Sequence, residues 1–175
     1  MNLTTEQLIS KAAQLKAGDK ILLSGIIYTA RDAAHKRFMG LIESGRPLPV
    51  DMEKSIIYYC GPAPAKPGSA AGPCGPTTSS RMDKFTPKLL SMGLKASIGK
   101  GPRAQEVRDA LKEFGAVYLA ATGGVAALLS SKVKKSEVVA FEDLGPEAVY
   151  KFEVVDFPVI VANDAAGGDL FRRNA

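Results

Sequence analysis

"KILLSGIIYTARDAAHKRFMG", Lys20 to Gly40, changes its periodicity halfway along, and that change decides the fold. Up to Tyr28 the run is continuously apolar and β-branched, the pattern of a buried strand. In "ARDAAHKRFMGLIESG", Ala30 to Gly45, the residues Ala34, Phe38, Leu41 and Ile42 recur at helical spacing on one face. A buried strand that passes directly into an amphipathic helix is the building unit of α/β proteins, and ligand groups gather where strand gives way to helix. Arg31 and Asp32 stand at that passage.

Outward from this unit the alternation continues. Thr4 or Thr5 is placed to cap a first helix through "EQLISKAAQL", stopped at "KAGD". "SIIYYC", Ser55 to Cys60, reads as a second strand, and Gly61 to Pro76 is loop, made mostly of Gly, Pro, Ala and Ser. Such a long structureless connection within one domain marks a functional or a disordered segment. "SSRMDKF" makes a short helical turn. Thr86-Pro87 then reads as an N-cap with proline at N1 for "KLLSM". "LKASIG" is a strand, "RAQEVRDALKEFG" an amphipathic helix, "AVYLAAT" a buried strand, and "GGVAALLSSKV" a helix opened by glycines. "EVVAFEDL", "AVYKFEVVDF" and "PVIVAND" finish the chain as strands. The expected fold class is α/β, a mixed sheet covered by helices on one side with a smaller antiparallel element.

The chain has 175 residues, of which 46% are hydrophobic, enough for one domain with a substantial core and too few for two. We expect a single domain over residues 1–175. The apolar runs fall short of the roughly 20 residues that span a bilayer, so no membrane segment is expected. The N-terminal stretch lacks the basic-then-apolar order of a secretory signal. Only Cys60 and Cys74 are present, with no disulfide framework, and a reducing cytoplasm is the expected compartment. The net charge of +5 suits an anionic partner, small or large.

Several chemistries are poorly served. Two cysteines and one distant histidine do not make a structural zinc site, and two thiols cannot hold a four-thiolate cluster. A Cys-His nucleophile pair has no spacing to support it. "GPCGPTTSS" lacks the Gly-Lys-Ser/Thr ending of a P-loop, and its prolines remove N–H groups that a phosphate cradle needs. The lysines are dispersed and the aromatic residues fall in strand cores, which speaks against nucleic acid. His35 lies near Arg31 and Asp32 on the helix, as either a structural pair or part of a site.

Arg31, Thr77, Thr78, Arg81 and Lys100 make a stronger set. Each follows a strand or the long loop, so they could converge on one edge of the sheet. Fixed positive charges around hydroxyl groups suit a small polycarboxylate, because arginine forks match carboxylates in a bidentate way. Cations also favour the alkoxide form of a hydroxyl held among them. The plainer alternative is a capping threonine beside a surface arginine.

Four stretches in order, "GIIYTARDAAHKR", "YYCGPAPAKPG", "GPTTSSRMD" and "IGKG", resemble the β subunit, or C-terminal domain, of the iron-sulfur hydro-lyases. That family comprises the class I fumarate hydratases and the L(+)-tartrate dehydratases. The resemblance extends from about Leu15 to the closing "GGDLFRR", with no departure at the motif positions. It implies a swivelling β/β/α domain working with a separate α subunit, which holds a [4Fe-4S] cluster through cysteines of its own, in an assembly of two α and two β chains. It implies that Arg31, Arg81 and Lys100, with Thr78 beside them, bind the carboxylates of a dicarboxylate, and that Thr77 is the base at C3 of malate. Asp32 and His35 are left to orient Arg31 or relay protons, a purely structural His35 being the alternative. The implied reaction is reversible hydration of fumarate to (S)-malate. Tartrate dehydration to oxaloacetate is the rival within the family, and a non-catalytic anion-binding or assembly module the rival outside it.

Overall fold

The apolar run at Lys20 forms a strand that pairs with three others. The computed structural model describes residues 1–65, 67–121 and 126–172. The elements in chain order are β1 (Asn2–Thr4), α1 (Thr5–Lys11), β2 (Lys20–Thr29), α2 (Asp32–Glu43), β3 (Ile56–Tyr58), α3 (Thr86–Ser91), β4 (Ala96–Gly99), α4 (Gln105–Glu113), β5 (Val117–Ala120), α5 (Ala126–Ser131), β6 (Val133–Ala140) and β7 (Val149–Asn163). Lys66, the glycines expected to open α5, Thr122 of "AVYLAAT", and Arg173 of the closing motif lie outside the described residues.

The seven strands among the described residues belong to one mixed sheet. Strands β1 to β5 run parallel to their neighbours, while β7 is antiparallel to β2, β5 and β6. β2 bears β1 at Leu22–Ser24, β3 at Tyr28 and Thr29, and β7 along nearly its whole length. β7 bears β6 with its first half and β5 with its second. The series β2, β3, β4, β5, β7 therefore returns to β2 and closes into a ring. The antiparallel element expected at the end of the chain is the β6–β7 pair, joined to the rest of the sheet through β7.

The two segments "AVYKFEVVDF" and "PVIVAND" form one strand rather than two. A bulge between Leu23 and Gly25 lets β7 bend without breaking, with Asp156 at φ 52° and its N–H donating to the Ser24 hydroxyl at 3.0 Å.

Side chains alternate between two cores. Ile56, Tyr58, Ile98, Val117 and Leu119 face one, with Leu8 of α1 and Leu129 of α5. Ile57, Tyr59 and Tyr118 face the other, with Phe38 of α2, Leu89 and Leu90 of α3 and Val107 and Leu111 of α4. Helices thus cover both faces, the larger ones on the second. β3 is buried on both faces and so reads as an unbroken apolar run, whereas β2, despite its apolar run, alternates buried with exposed positions and leaves Leu22 40% exposed. Each fully buried Leu, Ile or Phe here stabilises the fold by roughly 1.5–3 kcal/mol.

Local signals are met with small shifts. Thr4 caps α1 in a capping box, its hydroxyl accepting from the Gln7 N–H while the Gln7 side chain accepts from the Thr4 N–H. Thr86 does not cap α3: it is the first helical residue, and its hydroxyl donates to the Met82 carbonyl. The capping role is lost because Thr86 is wholly buried and also accepts from Arg103 at 2.8 Å. No helix among the described residues is long and apolar enough to cross a membrane.

Candidate functional site

The carboxyl ends of β2, β3 and β4 lie side by side, and the residues singled out from the sequence follow them. Arg31 comes after β2 at the N-cap position of α2. Thr77 is docked on the end of β3 by its N–H, which donates to the Tyr59 carbonyl at 2.7 Å. Lys100 follows β4 directly and forms a parallel bridge with Thr78, and the Ser79 N–H donates to the Lys100 carbonyl at 2.9 Å. The long loop therefore returns its last residues as an extra extended segment beside β3 and β4, and Thr77, Thr78 and Lys100 share one edge.

Arg81 sits on the helical turn Ser79–Met82 and reaches across to α2. Its Nε donates to Asp32 Oδ1 at 3.0 Å, and its Nη2 lies 3.0 Å from Asp32 Oδ2. Asp32 thus orients Arg81, whereas the resemblance suggested an orienting role towards Arg31. The side chain of Arg81 is 52% exposed, and Thr78 and Lys100 are exposed, so the edge is open. Among the described residues Lys100 makes no ion pair with a carboxylate.

Arg31 is held more tightly. Its chain lies over Gly61, where a Cβ would come within 2.9 Å of Arg31 Cδ and 2.8 Å of the Pro146 carbonyl, so only glycine permits this approach. Arg31 Nε is 3.9 Å from Glu147 Oε1.

His35 is part of the wall behind the site. It is completely buried against the rings of Phe38, Tyr59 and Phe85, and its Nδ1 bonds the Arg31 carbonyl at 2.8 Å. Burial lowers its pKa to about 4, against the pull of the Arg31 carbonyl, so the imidazole is neutral at pH 7 with Nδ1 as the donor. It steadies the backbone of Arg31 and does not reach the open edge.

Beneath the Thr77–Arg81 segment lies a network that the sequence did not announce. Arg103, with no side-chain exposure, donates from Nε to Asp83 at 2.6 Å and from Nη2 to Thr86, and its guanidinium lies between the rings of Tyr59 and Tyr118. Tyr118 and Ser79 share a hydroxyl hydrogen bond of 2.9 Å. A Cβ at Gly99 would fall 1.9 Å from the Ser79 hydroxyl oxygen, so this close packing too requires glycine. Asp83 and Ser79 bracket Arg81, and the buried network fixes both.

Cys60 and Cys74 are free, buried thiols in the core under the loop. The Cys74 thiol beside it, together with burial, pushes the Cys60 thiol well up from its ordinary value, which does not suit a nucleophile. Among the described residues no three His, Cys, Asp or Glu side chains are grouped to hold a metal ion.

The mixed α/β domain thus brings Arg31, Thr77 and Lys100 to the adjacent carboxyl ends of β2, β3 and β4, with Arg81 paired to Asp32 beside them. Residues 1–174 match the family model described as Fumarase C-terminus, and the chain belongs to that family. Among its relatives, "Fumarate hydratase 2" of Leishmania major is 40% identical over 92% of this chain and 29% of its own length. "Fumarate hydratase class I, anaerobic" of Escherichia coli is 37% identical over 99% of this chain and 32% of its own length. The chain therefore spans about a third of these fumarate hydratases. The "Putative L(+)-tartrate dehydratase subunit beta" of Methanocaldococcus jannaschii is 40% identical over 98% of this chain and 92% of its own length.

Proposed function

We propose that this chain is the β subunit, or the C-terminal domain, of a hydro-lyase that reversibly adds water to fumarate to give (S)-malate. The observation that carries the reading is that Arg31, Thr77 and Lys100 stand at the adjacent carboxyl ends of β2, β3 and β4, with Arg81 tied to them through Asp32. The family and its fumarate hydratase relatives support it.

In this reading the two guanidinium groups and Lys100 bind the carboxylates of the dicarboxylate, with Thr78 lining the same edge. Thr77 removes the proton at C3 of malate as the C2 hydroxyl departs, and returns it in the hydration direction. An alcohol is a weak base, and the surrounding cations, in a site closed to water, would favour the alkoxide that the step needs. Asp32 keeps Arg81 in register, and neutral His35 fixes the Arg31 backbone. The open edge supplies one wall; an α subunit or preceding domain supplies the other, in an assembly of two α and two β chains. A [4Fe-4S] cluster carried by that partner would act as a Lewis acid towards the substrate hydroxyl. The free, buried cysteines of this chain suit a reducing cytoplasm.

The second reading is tartrate dehydration to oxaloacetate, favoured by the match to the tartrate dehydratase β subunit over nearly all of that relative's length. Anaerobic reconstitution with the cluster-bearing partner, assayed on fumarate, malate and L(+)-tartrate, decides between them. Turnover of tartrate alone would give the second reading; turnover of neither would overturn both.

A further inference from the structure

Glu147 is far from every residue picked out by sequence, yet it closes on Arg31. It ends the turn Glu142–Glu147 between β6 and β7. One of its oxygens, Oε1, accepts from the Ala33 N–H at 3.4 Å and lies 3.9 Å from Arg31 Nε. The Ala33 N–H is one of the free donors that open α2, and Arg31 at the N-cap gives the helix no side-chain cap. Glu147 therefore takes over the cap from outside the helix and brings a negative charge to the positive end of the helix dipole.

The same carboxylate determines how Arg31 is presented. Arg31 Nε is buried and has no hydrogen-bond partner, and Glu147 is the acid nearest to it. Asp32, the adjacent acid, is turned to Arg81, its Oδ1 accepting from Nε and its Oδ2 lying 3.0 Å from Nη2 without a hydrogen bond. With Gly61 and the Pro146 carbonyl packed against the Arg31 chain, the guanidinium is confined on one side and faced by Glu147 along its Nε edge. Its two Nη groups are left to fork onto a carboxylate. The turn is itself moored to α2, since Arg37 forks onto Asp143 and lies 5.1 Å over the Phe141 ring.

We infer that Glu147 is a positioning residue for Arg31, setting which edge of the guanidinium meets the substrate carboxylate. The inference rests on the proposed function for its substrate but not for its geometry, and the test separates the two. In the full chain labelled with ¹⁵N-arginine, with the Arg31 signal assigned by its loss in Arg31→Lys, Glu147→Gln shifts the Arg31 Nε–H resonance, and Glu147→Asp restores it in part. In the enzyme reconstituted with its partner, Glu147→Gln, which keeps an acceptor for Ala33, raises KM for the dicarboxylate about tenfold with kcat changed less than about twofold. A parental Nε–H resonance in Glu147→Gln overturns the inference, as does a parental KM in an active enzyme. Should the parental enzyme turn over no dicarboxylate, the proposed function fails and the resonance alone decides the geometry.

Discussion

Arg81 and Asp32 form a forked ion pair that joins the segment after the long loop to the first turn of α2, with both nitrogen–oxygen distances at 3.0 Å. Because Arg81 is half-exposed, such a pair contributes little to stability. Its effect is geometric: it holds the Nε–Nη2 edge of one guanidinium and leaves the rest of the group for a ligand. We expect Arg81→Lys to raise KM for the dicarboxylate about tenfold, since a point charge cannot reproduce the fork. Steady-state kinetics check this, and an unchanged KM would remove Arg81 from the carboxylate site.

For Thr77 the expectation is sharper. Thr77→Ala abolishes turnover while assembly with the partner and its cluster content stay as in the parent, and Thr78→Ala is milder. Parallel measurement of activity and of cluster absorbance tests the pair. Parental activity in Thr77→Ala would mean that the base lies elsewhere.

His35 predicts a dependence of stability on acid. Its folded pKa of about 4 lies below the ordinary value of 6.5, so between these limits the unfolded chain binds a proton that the native state does not. Stability contributed by the neutral ring is full above pH 6.5, declines as pH falls towards 4, and loses no more below that, amounting to about 3 kcal/mol. Urea unfolding across this range, compared with His35→Gln, isolates the effect. An identical slope in the two proteins would contradict it.

The buried Arg103–Asp83 pair predicts a large loss from one neutral substitution. Asp83→Asn leaves the Arg103 charge in the core without its counter-ion and costs roughly 3–5 kcal/mol. The midpoint of chemical unfolding reads this directly, and a cost below about 1 kcal/mol would show that Tyr59, Tyr118 and Thr86 alone suffice for the guanidinium.

How far the sequence reaches is clear from particular residues. β2 and α2 were legible because both periodicities are local, and Arg31 and Asp32 followed from their place between them. Thr77, Thr78, Arg81 and Lys100 were legible as residues after strands, but their convergence depends on which strands pair, which no local signal carries. Glu147 was invisible for the same reason: only the pairing of β7 with β2 brings its turn to the start of α2. Arg103 read only as the first residue of the helix "RAQEVRDALKEFG", because its burial comes from Asp83, Tyr59 and Tyr118, each distant in sequence. β1 was missed because three residues are too few to show a period, and its pairing with β2 is again non-local.

The return of β7 onto β2 also has a meaning for biosynthesis. Lys20 pairs with Ile160, so a ribosome exposes the edge of β2 long before it delivers the strand that covers that edge. The ring cannot be assembled piece by piece from the N-terminus, and its completion must await the last strand. During that interval β2 is an unprotected template for stray strands, so nascent chains should depend on being shielded until residue 163 is free.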